Sequence, residues 1–359
     1  MAVDTPAPAI DQDKLMAFVG QAVGELGATA NAGLIVIGDR LGLYRGLAGA
    51  GPTTASELAS RTGTNERYVR EWLNTQAAGG FIDYDGATDR YTLSDEHALA
   101  LADESSPAFV GGAFQLALAT LKAIPQIEAV FRSGAGFGWH EHDAEVAVGC
   151  ERFFRPGYNA NLISTWLPAL DGVTEKLRVG ATVADVGCGL GATTRLMAEA
   201  FPRSTFTGFD YHRGSIELAR RETEQANLDV RIRFEVAPAS AYPGGGYDLV
   251  TMFDCLHDMG DPVGAARHVH QSLAPDGTWL IVEPLAGNAV QDNLNPLGRA
   301  YYAFSTLLCT PNSLSQEVGL ALGAQAGEAR IREVVEQAGF TRFRRVADSL
   351  VNAVYEVRQ

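Results

Sequence analysis

The sequence predicts an α/β fold, a doubly wound and mostly parallel sheet that follows a mainly helical N-terminal region. Three observations predict it. From residue 180 onward, short runs rich in β-branched and aromatic residues alternate with helical stretches. The first run, Val183-Ala184-Asp185-Val186, opens directly into a loop containing Gly187, Gly189 and Gly191. The chain then closes on two adjacent strand patterns, 340–347 and 352–358, which read as an antiparallel hairpin added to a parallel sheet.

The expected strands are 181–187, 204–210, 230–237, 247–254 and 277–284, with helices at 192–201, 213–226 and 262–273 and a last helix at 329–338 before the closing hairpin. Between the fifth strand and the last helix lies a long segment, 286–328, with Asn293, Asn295, Tyr301, Tyr302, Phe304 and Cys309 and few charges. An insertion of that length reads as a substrate lid, a dimer contact or extra helices over the sheet.

The N-terminal third has a different grammar. Thr54-Ala55-Ser56-Glu57 is a capping box, Thr62-Gly63-Thr64 a turn, and 65–78 a second helix. Gly79-Gly80 then leads to Phe81-Ile82-Asp83-Tyr84 and Arg90-Tyr91-Thr92-Leu93 across Asp85-Gly86, a hairpin or wing. Together these make a winged helix over residues 1–105. Residues 106–172 read as linking helices that cover the site, broken by glycines at 134–138 and by a Pro156-Gly157 turn before Tyr158. Residues 173–359 form the sheet domain.

A chain of 359 residues, 46% of them hydrophobic, has room for two domains with a sizeable core. No apolar run approaches the roughly 20 residues of a membrane span, and the N-terminus lacks a basic-then-apolar signal pattern, so a cytoplasmic protein is expected. The four cysteines stand far apart with no C-x-x-C pair, which predicts reduced thiols. With 43 acidic against 28 basic residues the net charge is −15, a poor match for a phosphate backbone. The winged-helix region repeats this bias, 7 basic against 15 acidic residues, and its presumed recognition helix sets Arg67 and Arg70 against Glu66 and Glu71. Nucleic acid is therefore not an expected partner, and neither is a membrane.

The glycine loop leaves no side chains between backbone and a nucleoside ligand. Gly187, Gly189 and Ala192 also fit the loose G-x-G-x-x-G/A dinucleotide pattern. A dinucleotide loop, however, serves a pyrophosphate, whereas Asp185, two residues before the first glycine, suits a cationic ligand. Asp210 ends the second strand about 20 residues past the loop, where a carboxylate can accept hydrogen bonds from ribose hydroxyls.

The string D-V-G-C-G-x-G resembles motif I of class I S-adenosylmethionine (SAM)-dependent methyltransferases, and the closing hairpin resembles their seven-stranded Rossmann-like sheet. The whole plan resembles bacterial members of that family with an N-terminal winged-helix dimerisation domain, many of them small-molecule O-methyltransferases. The resemblance implies SAM as cofactor and S-adenosylhomocysteine (SAH) as product, held by Asp185, Gly187, Cys188, Gly189 and Gly191. Asp210 and Tyr211 would serve the ribose, Ala237 and Ser240 the adenine, and Phe253 and Asp254 the rest of the cofactor wall. Many relatives place an acid after the third strand for the adenine amine, and Ala237-Pro238-Ala239-Ser240 has none. A homodimer through the N-terminal domain is also implied, with the apolar stretch 32–43 as its surface.

The fourth strand leads into Leu256-His257-Asp258, which resembles the Leu-His-Asp-Trp segment of small-molecule O-methyltransferases, with Met259 in place of Trp. His257 is thus the expected general base for a hydroxyl acceptor, its imidazole titrating near neutral pH. Glu283, ending the fifth strand, would orient it or bind a substrate amine. Trp139, His140, Tyr158, Asp258 and Tyr302 are the expected acceptor contacts. Trp139-His140-Glu141-His142-Asp143 gathers two imidazoles and two carboxylates, but a His-x-His pair shares one side only in a strand and a loop is expected here, so no metal site is predicted. Two other readings stay open: N- or C-methylation of a small metabolite, and a winged-helix regulator that senses SAM.

Overall fold

In a computed structural model that describes residues 10–359, the chain divides into two units at Phe114/Gln115. The first unit begins with one long helix, Gln12–Arg40, whose N-cap Asp11 accepts from the amides of Asp13 and Lys14. Short helices Leu43–Leu47, Ala55–Thr62 and Glu66–Ala78 follow, with the capping box of Thr54 and Glu57 formed as the sequence predicts. Strands β1 (Asp83–Asp85) and β2 (Arg90–Thr92) pair antiparallel as the wing. Ile35, Tyr44, Leu58, Trp72, Leu73 and Tyr91 form the core. One buried polar chain crosses it: Tyr44 Oη donates to Gln76 Oε1 (2.8 Å), and Gln76 Nε2 donates to Asn31 Oδ1 (2.7 Å). Arg67 and Arg70 are not free for a phosphate. Arg67 pairs with Glu71, and Arg70 with Glu66 and Asp89.

The second unit is built on a seven-stranded sheet. Its strands are β3 (Thr182–Val186), β4 (Thr205–Asp210), β5 (Ile232–Val236), β6 (Tyr247–Phe253), β7 (Leu273–Pro284), β8 (Arg342–Asp348) and β9 (Asn352–Arg358), in the order β5-β4-β3-β6-β7-β9-β8. The first five run parallel, and β9 runs antiparallel between β7 and β8. Alternate side chains feed two cores, one on each face. Val183, Phe206, Leu249 and Leu280 point to one; Ala184, Val250, Trp279 and Ile281 point to the other. The order reverses at β3, between β4 and β6, and an open α/β sheet opens a crevice at the carboxyl ends of such strands.

The helices over 115–172 belong to this unit. The turn expected at Pro156-Gly157 is not one: both residues lie inside the helix Glu145–Asn161. Pro156 removes one helical hydrogen bond, at a cost of ~3 kcal/mol, but it is buried, and packing holds the helix through it. A π-helical turn, Leu162–Trp166, follows directly. The segment 286–328 is helical over Pro296–Phe304 and Thr310–Leu314, joined by the π-turn Ser305–Cys309. All four cysteines are free thiols. No helix among the described residues is long and apolar enough to cross a membrane.

Candidate functional site

The glycine loop joins β3 to the helix Ala192–Ala200, and its three glycines adopt φ of +73°, +52° and +76° at Gly187, Gly189 and Gly191. Side chains disfavour that region, but the surroundings separate the three roles. A Cβ on Gly187 would lie 2.6 Å from Cys255 Sγ, and one on Gly191 2.4 Å from Phe234 Cζ. Both glycines let neighbouring elements close. A Cβ on Gly189 would meet nothing within 4 Å. Gly189 is the one that faces open space.

Asp185 departs from its expected place. Its carboxylate is buried and accepts three hydroxyls, from Thr193 (2.8 Å), Thr194 (2.5 Å) and Thr251 (2.8 Å). It stands off the cavity wall and ties the loop to the following helix and to β6. Burial raises its carboxyl above the ordinary value, against the three hydroxyls that lower it.

Asp210 is on the wall at the end of β4. Its Oδ2 accepts from the Gly189 amide (2.9 Å) and its Oδ1 from the His212 amide (2.7 Å), so a single carboxylate sets the loop. A carboxylate offers about four lone-pair sites, which leaves two for a ligand. The helix Arg213–Gln225 takes its N-cap from His212 and not from Asp210. Tyr211, Ala237 and Ser240 also line the cavity, with Pro238 and Ala239 between the last two.

Two polar groups stand at the end of β6. Asp254 has φ +49°, a strained backbone for a non-glycine residue. Tyr158 Oη donates to its Oδ2 and Asn352 Nδ2 to its Oδ1, both at 2.7 Å. Burial pushes the Asp254 carboxyl up to about 8. Tyr158 packs its ring against Phe253, with centroids 5.4 Å apart.

The second group centres on His257, in the turn Leu256–Asp258. Glu283 orients it: Oε2 lies 2.6 Å from His257 Nδ1, while Oε1 accepts from the Leu256 amide at 2.9 Å. His257 Nε2 lies 3.2 Å from Asp258 Oδ1. Burial alone would lower this imidazole, but Glu283 and Asp258 on its two sides outweigh it and raise it well above the ordinary value. His257 and Glu283 stand behind the cavity wall, and Asp258 is the member of the group that reaches it. Trp139 Nε1 donates to Asp258 Oδ2 at 3.3 Å.

The cavity these residues line has a volume of about 670 Å³. Asp143, Glu151, Asp210, Asp254, Asp258, Asp261 and Glu317 stand on its wall, and among the described residues no Lys or Arg does. Trp139, His140 and Tyr158 line it as expected, and Tyr302 does not. On the helix Pro296–Phe304 it is Tyr301 that turns inward, donating to the Val351 carbonyl at 2.9 Å, and the next residue points about 100° away. Gly191 lies beneath the loop, off the wall.

Sequence reasoning missed a second side of the wall: His142, Cys150, Glu151 and Phe154 from 142–154, and Asn312, Gln316, Glu317 and Val318 from the long insertion. Asn312 Nδ2 donates to the Asp258 carbonyl (3.0 Å), Gln316 Oε1 accepts from the Gly260 amide (3.1 Å), and Ser313 Oγ donates to the Met259 carbonyl (2.8 Å). These bonds fasten the insertion to the loop after β6.

Residues 29–103 match the family described as Rv2258c-like winged HTH domain, and residues 184–279 match the methyltransferase domain family. The ubiquinone biosynthesis O-methyltransferase of Ruegeria pomeroyi is 31% identical over 107 residues, 30% of this chain and 42% of that one. The mitomycin biosynthesis 6-O-methyltransferase of Streptomyces lavendulae is 26% identical over 246 residues, 66% of this chain and 69% of that one. The first match thus spans less than half of its relative and the second about two thirds. Among solved structures, a mitomycin 7-O-methyltransferase aligns with TM-score 0.68 and 22% identity, covering 97% of this chain and 100% of that one. Human N-acetylserotonin methyltransferase, in complex with SAM, aligns with TM-score 0.64 and 16% identity over 99% of both chains. At these identities the structures show the fold: a winged helix followed by a class I methyltransferase sheet.

Proposed function

We propose that this chain, a class I methyltransferase domain behind a winged helix, is a SAM-dependent enzyme that methylates a hydroxyl of a small, partly apolar acceptor. The observation that carries the proposal is an acid-walled cavity without Lys or Arg, opening where the glycine loop meets Asp210. A dinucleotide pyrophosphate is met by cationic side chains, which this wall lacks, whereas a sulfonium and an α-ammonium are met by carboxylates. The residues fit SAM in three respects. Gly189 leaves the space a close-lying ligand needs, Asp210 keeps lone pairs for the ribose hydroxyls, and Asp254 faces the cavity after the strand that ends in Phe253.

Bound SAM supplies a methyl group on a positively charged sulfur. The chain supplies position and desolvation: Tyr158, Phe154 and Trp139 give an apolar wall for the acceptor, and the insertion latched by Asn312 and Gln316 limits water. The proton of the acceptor passes to the Asp258 carboxylate, the member of the His257 group on the cavity, whose Oδ1 lies 3.2 Å from His257 Nε2. His257 is thus a positioning residue here, and Glu283 holds its ring.

The test is a calorimetric titration of the purified protein with SAH and with NAD. Micromolar SAH binding and no heat from NAD are expected. NAD binding, or silence with both, would overturn the reading. A regulator that reads DNA through the winged helix is disfavoured because Arg67 and Arg70 are already paired with acids.

The proposal includes a homodimer through the N-terminal unit. Within the expected stretch 32–43, Ile35 and Leu43 are buried in the unit's own core, while Ile37 and Leu41 are exposed. Leu15, Phe18, Val19, Val23 and Leu26 extend that exposed apolar surface along the helix Gln12–Arg40 at helical spacing. Light scattering at micromolar concentration is expected to give twice the 38.2 kDa chain mass, and a monomer would remove this part of the proposal.

A further inference from the structure

We propose that Asn312 is a positioning residue through which a bound cofactor sets the acceptor side of the cavity, by way of Tyr211 on one flank and Trp139 on the other. Which ligand lies on which flank rests on the methyl-transfer reading above; the junction itself does not. Asn312 is 2% exposed and stands in the helix Thr310–Leu314 of the long insertion. Its Oδ1 accepts from Tyr211 Oη (3.0 Å) and from the Trp139 amide (3.1 Å), and its Nδ2 donates to the Asp258 carbonyl (3.0 Å). These partners lie 101, 173 and 54 residues away along the chain, and one side chain joins them. An amide oxygen has two lone pairs, and both are taken. A ligand hydroxyl therefore finds no acceptor there, and Asn312 acts through its partners.

On the acceptor flank, the Trp139 turn and the insertion form one body. The Phe137 amide donates to the Pro311 carbonyl at 2.9 Å. A Cβ on Gly136 would lie 1.9 Å from the Ser315 backbone nitrogen, so a residue without a side chain is what lets the two backbones close this far. On the cofactor flank, Tyr211 follows Asp210, whose carboxylate accepts the Gly189 and His212 amides at 2.9 and 2.7 Å. Tyr211 is 42% exposed, with its side chain on the cavity and its hydroxyl held by Asn312. A nucleoside that seats against Asp210 and fixes the Tyr211 ring thereby fixes the hydroxyl that Asn312 accepts.

The wall beyond Asn312 depends on the same anchor. Val318 has φ +73°, a conformation that β-branched residues rarely adopt and that persists only where its surroundings over-determine it. It lines the cavity with Gln316 and Glu317. Gln316 Nε2 donates to the Asp258 and Asn312 carbonyls, both at 3.1 Å, and the Leu320 amide to the Gly260 carbonyl at 2.9 Å. The strained wall segment thus hangs from the helix that Asn312 pins. Coupling between two ligands is reciprocal: a cofactor that orders Tyr211 reduces the entropy an acceptor loses on seating against Trp139, and the acceptor tightens the cofactor by the same factor.

Hydrogen exchange of the full chain, read by mass spectrometry with and without saturating SAH, tests the relay. In the wild-type protein SAH is expected to slow exchange at 187–191 and 209–213, and also at 137–142 and 315–321, by roughly threefold or more. Tyr211→Phe keeps the ring and removes only the hydroxyl. At SAH concentrations that saturate each protein, Tyr211→Phe and Asn312→Ala should retain the protection at 187–191 and lose it at 137–142 and 315–321. A role confined to stability would raise exchange equally with and without SAH and leave the SAH-dependent difference in place. Equal protection of 137–142 and 315–321 in wild type and Tyr211→Phe would overturn the relay, as would no protection there in a wild-type protein that SAH protects at 187–191; both results leave methyl transfer standing. If Asn312→Ala does not fold, Tyr211→Phe decides alone. Absence of SAH protection at 187–191 in the wild-type protein would instead count against the methyltransferase reading.

Discussion

Asp210→Ala is expected to raise the dissociation constant for SAH at least ~100-fold while the protein stays folded. The carboxylate has two separable duties. It already accepts the amides of Gly189 and His212, at 2.9 and 2.7 Å, and so sets the loop that faces the cavity. Its remaining lone pairs are those the ribose hydroxyls would use. A hydrogen bond to a charged group contributes about 1.5–3 kcal/mol, and two of them amount to roughly 3–6 kcal/mol, or more than two decades of affinity. Asp210→Asn keeps the shape and one acceptor oxygen, so an intermediate loss is expected. Thermal melts of the ligand-free variants separate this from unfolding. An affinity within about threefold of wild type would move the nucleoside away from β4.

The same carboxylate shows what the sequence could and could not reveal. Asp185 and Asp210 both sit on strands beside the glycine loop, and both look like ligand-binding acids. Only the second faces the cavity, because Thr193, Thr194 and Thr251 converge on the first. Two of those threonines follow the loop and the third lies on β6, a neighbour that only strand pairing brings near. The seven strands were legible because a sheet buried on both faces leaves short, nearly continuous apolar runs between helical ones, and the positive-φ loop because glycine accepts it most readily. The acceptor side was not. His142, Glu151, Asn312 and Gln316 reach the wall through tertiary packing between segments with no shared spacing. Pro156-Gly157 failed for a related reason: its local chemistry says turn, and burial of Pro156 inside Glu145–Asn161 overrides it. Likewise, Leu-His-Asp pointed to the turn after β6, but which of its side chains touches the cavity depends on Glu283 and the turn geometry.

Binding of SAM is expected to strengthen relative to SAH as pH rises from 6 to 8. Burial pushes Asp254 up to about 8, Tyr158's hydroxyl pulls it down, and Glu283 pushes it up again. In the ligand-free protein it is therefore about 1% ionised at pH 6 and half ionised at pH 8. Its folded value lies above the unfolded one, so between about pH 4 and 8 the native state holds the extra proton, and Asp254 makes the ligand-free fold less stable as pH rises through that window. A sulfonium beside Asp254 favours the ionised form and must expel the proton, which costs affinity below pH 8 and nothing above it. The neutral thioether of SAH gains no such preference. The two ligands share their ribose, adenine, amino and carboxylate groups, so titration of other wall residues that meet those groups cancels in the ratio. The SAM-to-SAH affinity ratio should rise by up to about 50-fold over that range and then level off. Asp254→Asn should flatten it. A ratio already flat in the wild-type protein would place the sulfur away from Asp254, and the strained φ of +49° would then need another explanation.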